Sequence, residues 1–415
     1  MTAQDHEALD VEAVRRDFPI LSRMVDEDTP LVYLDNAATS QTPTRVIESM
    51  NEYYREYNAN VHRGIHQLSM EASIEYEEAH DRLARFVGAE GREEIVFTKN
   101  TTEAINLVAY AWGLSNLSAS DAVVLTEMEH HATLVTWQQI AEKVGAEVRY
   151  VQIDDQGHLD MEHAAEVIDD DVEMVSAVHV SNTLGTVNPI ADLADLAHEH
   201  DARFLGDGAQ AVPNRPVDVK AMDVDFYAFS GHKMAGPTGI GVLYGKAEIL
   251  DAMDPFIFGG EMIERVTFEE STWNDLPWKF EAGTPPIAEA VGLAEAADYL
   301  DSIGLERIRA HEEELVRYAY ERLLDRSDVE VYGPPPEEDR SGLVAFNLED
   351  VHAHDLSSIL NEYGVAVRAG DHCTQPLHDV LGVPASTRAS FYVYNTKAEI
   401  DQLLEGIEGA KELFA

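Results

Sequence analysis

A chain of 415 residues is long enough for a large core and two lobes, and 45% hydrophobic with 26% charged residues is ordinary for a folded globular protein. The charge balance is not ordinary: Lys+Arg 29 against Asp+Glu 78 gives −49, spread along the whole chain, as expected of a surface adapted to high salt and unsuited to nucleic acid, which needs a basic patch. No run of about 18 apolar residues offers a membrane span, and the N-terminal MTAQDHEALDVEAVRRDF lacks the apolar stretch of a signal peptide, so the expected location is the cytoplasm.

Residues 6–29 read as an amphipathic helix and a polar turn. LVYLDNAATSQTP (Leu31 to Pro43) reads as a short strand and a loop, followed by a helix over 44–58. NVHRGIHQLS (Asn60 to Ser69) is a loop with two histidines, and 70–88 carry a helical period that stops at Gly88. Apolar runs then recur at Glu94–Thr98, Ala122–Thr126, Val148–Ile153, Met174–Val180, Phe204–Asp207, Asp225–Phe229 and Ile240–Tyr244, with helical stretches between most of them. This rhythm predicts an α/β fold with a mainly parallel sheet covered on both faces. Ligands in such sheets sit at the carboxyl ends of the strands. Residues 246–285 break the rhythm and read as an irregular lobe or hairpin. A long helix from about 287 passes into a second over 304–326, and PPPEEDR (Pro334 to Arg340) reads as a linker-like surface loop. Strands at Leu343–Leu348, Val365–Ala369 and Arg388–Tyr394, with helices at 354–363 and 397–414, complete an α+β domain. The expected division is a large domain over 30–290 and a small one formed by 1–29 and 291–415.

The strand ends carry the candidate chemistry. Thr101 and Thr102 in TKNTTEAINLVAY suit either a plain helix cap or an anion seat at a helix N-terminus. His130 and His131 in EHHATLVTW are satisfied polar residues or a ring-stacking, proton-moving group. Asn182 in HVSNTLGTVNP closes a turn or bonds a ring hydroxyl. Asp207 in FLGDGAQA, with Gln210 three residues on, caps a helix or keeps a pyridinium nitrogen protonated. SGHKMAGPTGIGVLYG (Ser230 to Gly245) places Lys233 at the end of a buried strand, beside Ser230 and His232, as either a turn lysine whose ammonium points to water or an amine that can lose its charge and form an imine. The single cysteine, Cys373, excludes an internal disulfide and a multi-cysteine metal site, and no metal is expected.

The ordered set LDNAATSQTP, NVHRGIHQLS, FTKNTTEAINLVA, EHHATLVTWQ, VSNTLGTVNPI, DGAQAVPNRPVDV, FSGHKMAGPTGIGVLYG, FEAGTPP, GVAVRAGDHCTQPL and STRASFYVYNT resembles the class V aminotransferase-like family of fold-type I pyridoxal-phosphate enzymes. Within that family it is similar to the cysteine desulfurases of the SUF system. The resemblance implies that Lys233 binds pyridoxal 5'-phosphate as an imine, Asp207 pairs with the pyridine nitrogen, and His131 stacks on the ring and moves protons. It implies that Asn182 and Gln210 face the ring hydroxyl, and that Thr101, Thr102, Ser230 and His232 hold the phosphate. Thr284 of EAGTPP would reach in from the second subunit of a homodimer. Arg388 would bind the substrate carboxylate, with Asn182 and Arg368 beside it.

The implied reaction converts L-cysteine to L-alanine and leaves a persulfide on Cys373. The sulfur would pass to a SUF-type (SufU/SufE-like) acceptor protein for iron–sulfur cluster assembly. Cys373 lies beside His372 and five residues after Arg368, and a positive neighbourhood favours a thiolate; Asp371, where the family often has a second histidine, works against it. His352 and His354 in VHAHDLSS read as a polar pair at a helix start. Alternatively, His354 resembles a histidine that takes over a zinc ligand of a SufU-type acceptor. Selenocysteine lyase activity, a transamination or epimerisation that leaves Cys373 idle, and a non-catalytic scaffold are the other readings.

Overall fold

The computed structural model describes residues 9–414, so the first part of the expected N-terminal helix lies outside it. What remains of that helix is Val11–Arg15, followed by a 3-10 turn at Pro19–Ser22. Strand β1 is the short Val32–Tyr33. All seven apolar runs form the main sheet: β2 (Ile95–Thr98), β3 (Ala122–Thr126), β4 (Glu147–Val151), β5 (Val172–Val178), β6 (Arg203–Asp207), β7 (Phe226–Ser230) and β8 (Gly241–Gly245). Their order is β2-β8-β7-β6-β5-β3-β4. Neighbours are parallel except β8, which runs antiparallel to both β2 and β7.

Alternation of side chains along each strand explains why both faces are covered. Val96, Val123, Leu205, Phe226 and Leu243 point to one face and pack with the helices Thr101–Leu107 and His131–Val144. Phe97, Val124, Phe204, Tyr227 and Val242 point to the other, against the helices Gln67–Val87 and Ile287–Ile303. The first of these helices ends at Gly88, whose φ of 76° is the left-handed conformation that glycine adopts without penalty.

Residues 246–285 contain the hairpin expected there, β9 (Ile263–Val266) against β10 (Ser271–Trp273). The second sheet contains β11 (Val329–Tyr332) and β12 (Leu343–Leu348); after β13 (Val365–Ala366) come its other two strands, β14 (Arg368–Gly370) and β15 (Ser386–Ser390). It is antiparallel, in the order β11-β12-β15-β14. Val344, Phe346, Leu356, Leu403 and Ile407 build its core, with the helices Ala353–Glu362 and Lys397–Phe414.

Five details differ from the sequence expectation. The single strand expected at Val365–Ala369 is two strands in different sheets, because β13 pairs in parallel with β1 while β14 joins β15. The strand expected to run to Tyr394 stops at Ser390. After a last backbone bond from Phe391 N–H to Gly342 O at 2.6 Å, Tyr392–Tyr394 are apolar because they are buried between the lobes, where Tyr392 Oη donates to Pro213 O at 3.1 Å. The loop Pro334–Arg340 is anchored, since Arg340 is buried and donates to Leu184 O and Leu343 O. The expected boundary at 290/291 falls inside the helix Ile287–Ile303, whose buried side chains through Ile303 join the core of the main sheet. Val32 and Leu34, expected in the large domain, belong instead to the core of the small one.

Candidate active site

The carboxyl ends of the parallel strands open on one chamber of about 320 Å³. Its wall brings together Thr101, Thr102, Asn182, Asp207, Gln210, Ser230, His232, Lys233, Arg368, Cys373 and Arg388, all expected from sequence. Two expected residues are not on it. Thr284 is exposed elsewhere on the surface of its own chain. His131 is displaced from the wall by its neighbour, His130.

One end of the chamber is built for an anion. β2 ends at Thr98, Asn100 caps the next helix by accepting Glu103 N–H at 2.9 Å, and Thr101 and Thr102 open that helix. Helix N-termini present free N–H groups and a positive dipole end. Ser230, at the end of β7, locks onto this turn: its Oγ accepts Thr101 N–H at 2.8 Å and lies 2.7 Å from Thr101 Oγ1. The approach requires Gly241, where a Cβ would lie 2.6 Å from Asn100 Cα. His232 is half-buried at this end, and burial pushes its pKa down to about 4. Its ring is therefore neutral.

At the centre, Asp207 ends β6 and Lys233 lies in the 3-10 turn Gly231–Lys233 that follows the adjacent parallel strand β7. Burial, opposed by the carboxylate of Asp207, pulls the Lys233 ammonium down to about 8. A fraction of the amine is thus neutral and nucleophilic near pH 7. Asp207 is 3% exposed; burial raises its pKa, while Ala209 N–H, donating at 2.9 Å, and the Lys233 charge act the other way. A buried carboxylate so placed fits a cationic ring nitrogen. Behind it, His179 N–H donates to Asp207 O at 2.9 Å and its Nδ1 lies 2.6 Å from Tyr227 Oη, a buried pair that the sequence reading missed.

The adjacent histidines separate by position. His130 is the N-cap of the helix His131–Val144, and its Nδ1 accepts Ala132 N–H at 3.0 Å. That bond fixes the tautomer, leaving the proton on Nε2. Burial, then the nearby Lys233, lowers the His130 pKa to about 4, so a neutral imidazole faces the chamber. The residue on the chamber wall, where ring contact and proton transfer were expected of His131, is therefore His130. The physical reason is the helix start: the cap residue stays at the strand end, while the first helical residue turns aside. His131 instead donates its backbone N–H to Cys373 O at 2.8 Å and accepts Gln375 N–H on Nε2 at 3.0 Å.

The opposite end carries the groups expected to face the substrate. Arg388 on β15 is 2% exposed, donates to Asn182 O at 2.8 Å, lies 3.4 Å from Asp35 and keeps Nε without a partner. Burial lowers its pKa to about 10, which leaves it cationic. Arg368 on β14 grips the same Asp35 with two bonds, at 3.1 and 2.9 Å. Asn182 spends its Nδ2 on His372 O at 2.7 Å, and its buried Oδ1 is left open. Gln210 donates to Ala37 O at 2.6 Å. Asp35 was not singled out from sequence; the signal was available in LDNAATSQTP, one of the segments that carry the family resemblance.

Cys373 is exposed at the chamber rim, on a turn where Gly370, His372 and Cys373 have φ of 131°, 51° and 59°. Asp371 closes that turn: its Oδ1 accepts Cys373 N–H at 3.0 Å and its backbone oxygen accepts Thr374 N–H at 2.8 Å. His372 is not a positive neighbour of the thiol, contrary to expectation. It is buried, and burial followed by Arg388 drives its pKa down to about 2. The cations that feel the thiol's charge are Lys233, Arg368 and Arg388.

These residues fit pyridoxal 5'-phosphate on their own chemistry: an anion seat, a buried carboxylate, a depressed lysine amine and an unpartnered buried Asn182 oxygen lie on one wall. Residues 32–403 match the aminotransferase class-V family. The chain is 66% identical to a cysteine desulfurase of Haloferax volcanii and 64% identical to a probable cysteine desulfurase of Halobacterium salinarum, with each chain covered in full. Among solved structures it superposes on the apo cysteine desulfurase of Thermococcus onnurineus with a TM-score of 0.92, at 40% identity over 99% of each chain. The cysteine desulfurase CsdA of Escherichia coli gives a TM-score of 0.91 at 36% identity, over 99% of this chain and 100% of that one. A main sheet with a lysine and a carboxylate on adjacent strand ends, and a match spanning both lobes, place this chain in the class-V aminotransferase family.

Proposed function

We propose that the chain is a pyridoxal-phosphate-dependent cysteine desulfurase that converts L-cysteine to L-alanine and carries the sulfur as a persulfide on Cys373. One observation bears most of the weight: the depressed amine of Lys233, the buried Asp207 and the only thiol in the chain share one chamber wall. Bound pyridoxal phosphate supplies the electron sink that the amino acids lack.

Each side chain then has a defined task. Arg388 holds the substrate carboxylate with a charge-assisted bond. Lys233, partly neutral at pH 7, takes the Cα proton and returns it to the carbon skeleton. His130 presents its Nε2 proton to the reacting side of the chamber. The Cys373 thiolate forms an S–S bond to the substrate sulfur as the Cβ–S bond breaks. The electron pair stays with carbon, which is protonated and leaves as L-alanine.

The protein acts as a homodimer in this reading. Thr284 is exposed and absent from its own chain's chamber, which suits a residue that completes a partner's site. Among the described residues no helix is long and apolar enough to cross a membrane, and a cytoplasmic location accords with this. The acceptor is a SUF-type protein for iron–sulfur assembly. The stacked rings of His352 and His354, 5.4 Å apart at 19°, start the helix Ala353–Glu362 and offer imidazole to it. Undiminished activation of a His354→Ala enzyme by such an acceptor would remove that contact from the account. The reaction itself is tested by incubation with L-cysteine and mass analysis of the Cys373 peptide. One added sulfur atom is expected, and none in Cys373→Ser; turnover of L-cysteine by Cys373→Ser at the parent rate would overturn the assignment.

A further inference from the structure

The turn that carries Cys373 is held in a conformation it would not adopt alone. His372 and Cys373 are consecutive non-glycine residues with φ of 51° and 59°, a region that L-residues with a Cβ avoid. Such a turn persists only where its surroundings fix it. Asp371 closes it from within, and Asn182 holds His372 O. The thiol-bearing residue itself is bracketed from outside by one side: His131 N–H meets Cys373 O at 2.8 Å, and His131 Nε2 accepts Gln375 N–H at 3.0 Å. Both bonds issue from the first residue of the helix His131–Val144. Its backbone N–H has no intrahelical acceptor, and Gln375 likewise opens its own helix, Gln375–Val380. Each partner therefore uses an N–H group that its helix leaves unpaired.

We infer that His131 is a positioning residue for sulfur transfer, whose imidazole acceptor at Nε2 holds the Cys373 turn in register with the chamber while His130 works on the chamber side. The role requires a side-chain acceptor at Nε2 reach; charge is not needed. It rests on the reading of Cys373 as the persulfide carrier. Loss of the acceptor leaves proton removal from the substrate untouched and slows the step in which Cys373 takes the sulfur.

The test compares His131→Gln with His131→Met in the holoenzyme. The two side chains match in length and helix propensity, but Gln keeps a carbonyl acceptor where Met offers only a weak thioether sulfur. Stopped-flow absorbance of the bound cofactor after mixing with L-cysteine reads the early steps, and quenched-flow mass analysis reads persulfide on Cys373. The Met enzyme should show parent-like early absorbance changes and persulfide formation slower by about threefold to tenfold, the equivalent of one lost hydrogen bond. The Gln enzyme should recover to within about twofold of the parent. Parent-rate persulfide formation in the Met enzyme, equal slowing in both variants, or equal slowing of the early phase would each overturn the inference. Absence of persulfide on Cys373 in the parent enzyme would instead overturn the functional reading beneath it.

Discussion

Arg388→Lys is the sharpest probe of how the chamber recognises its substrate. The guanidinium is 2% exposed and already committed on one side, to Asn182 O at 2.8 Å and weakly to Asp35 at 3.4 Å, while Nε has no partner. Arg388 lies on the chamber wall, so a substrate carboxylate there would meet a guanidinium held in a fixed orientation. Lysine keeps the positive charge beside Asp35, so folding is cushioned, and Asp35 retains its two bonds from Arg368. What lysine cannot supply is the second, rigidly placed donor. One charge-assisted hydrogen bond contributes about 1.5–3 kcal/mol, so KM for L-cysteine should rise about tenfold to a hundredfold. The assay is steady-state alanine formation, run beside cysteamine as a competitor that has the same thiol and amine but no carboxylate. In the parent enzyme L-cysteine should bind far better than cysteamine. In the variant that preference should collapse, with cysteamine inhibition unchanged. An unaltered KM for L-cysteine, or equal weakening of both molecules, would refute the assignment of Arg388 to the carboxylate.

Three other outcomes are expected. Lys233→Ala should remove the visible absorbance of the lysine-bound cofactor and lower turnover by at least about 10²–10⁴-fold; near-parent turnover would contradict the role given to its amine. His179 is buried beside Tyr227 with its pKa driven down to about 3 by burial. Because the folded value lies below the unfolded one, its contribution to stability is full above about pH 6.5 and is lost as pH falls, by about 1.4 kcal/mol at pH 5.5. The fall in thermal midpoint from pH 7.5 to 5.5 should therefore be smaller in His179→Gln than in the parent, and equal falls would remove His179 as a source. Finally, with a net charge of −49, the thermal midpoint should climb steeply from 0.1 M to molar KCl as the screening length shrinks to about 3 Å; a flat profile would show that repulsion among carboxylates is not limiting.

Much of this was legible in the chain because strand ends and punctuation are local. The seven runs of the main sheet, the stop at Gly88 and the group Asp207, Ser230 and Lys233 follow from patterns within a few residues of each other. What local patterns could not resolve was a choice between neighbours. His130 and His131 have the same chemistry, and only the onset of the helix decides which one faces the chamber. The neutral state of His372 depends on burial beneath Arg388, which is remote in sequence. Phe391–Tyr394 read as a strand because apolarity reports burial, and burial between lobes looks the same in a sequence as burial in a sheet.

The segment 32–37 has a mechanical consequence. β1 pairs with β13, and Leu34 O accepts Ser390 N–H of the small domain. Asp35 clasps two arginines from β14 and β15, and two residues on, Ala37 O accepts the Gln210 side chain from the main sheet's side. Any rocking of the C-terminal lobe must therefore tug this short thread and, through it, the Gln210 side of the chamber. The two lobes are geared to each other at the chamber wall, so a change that loosens one should be heard in the other.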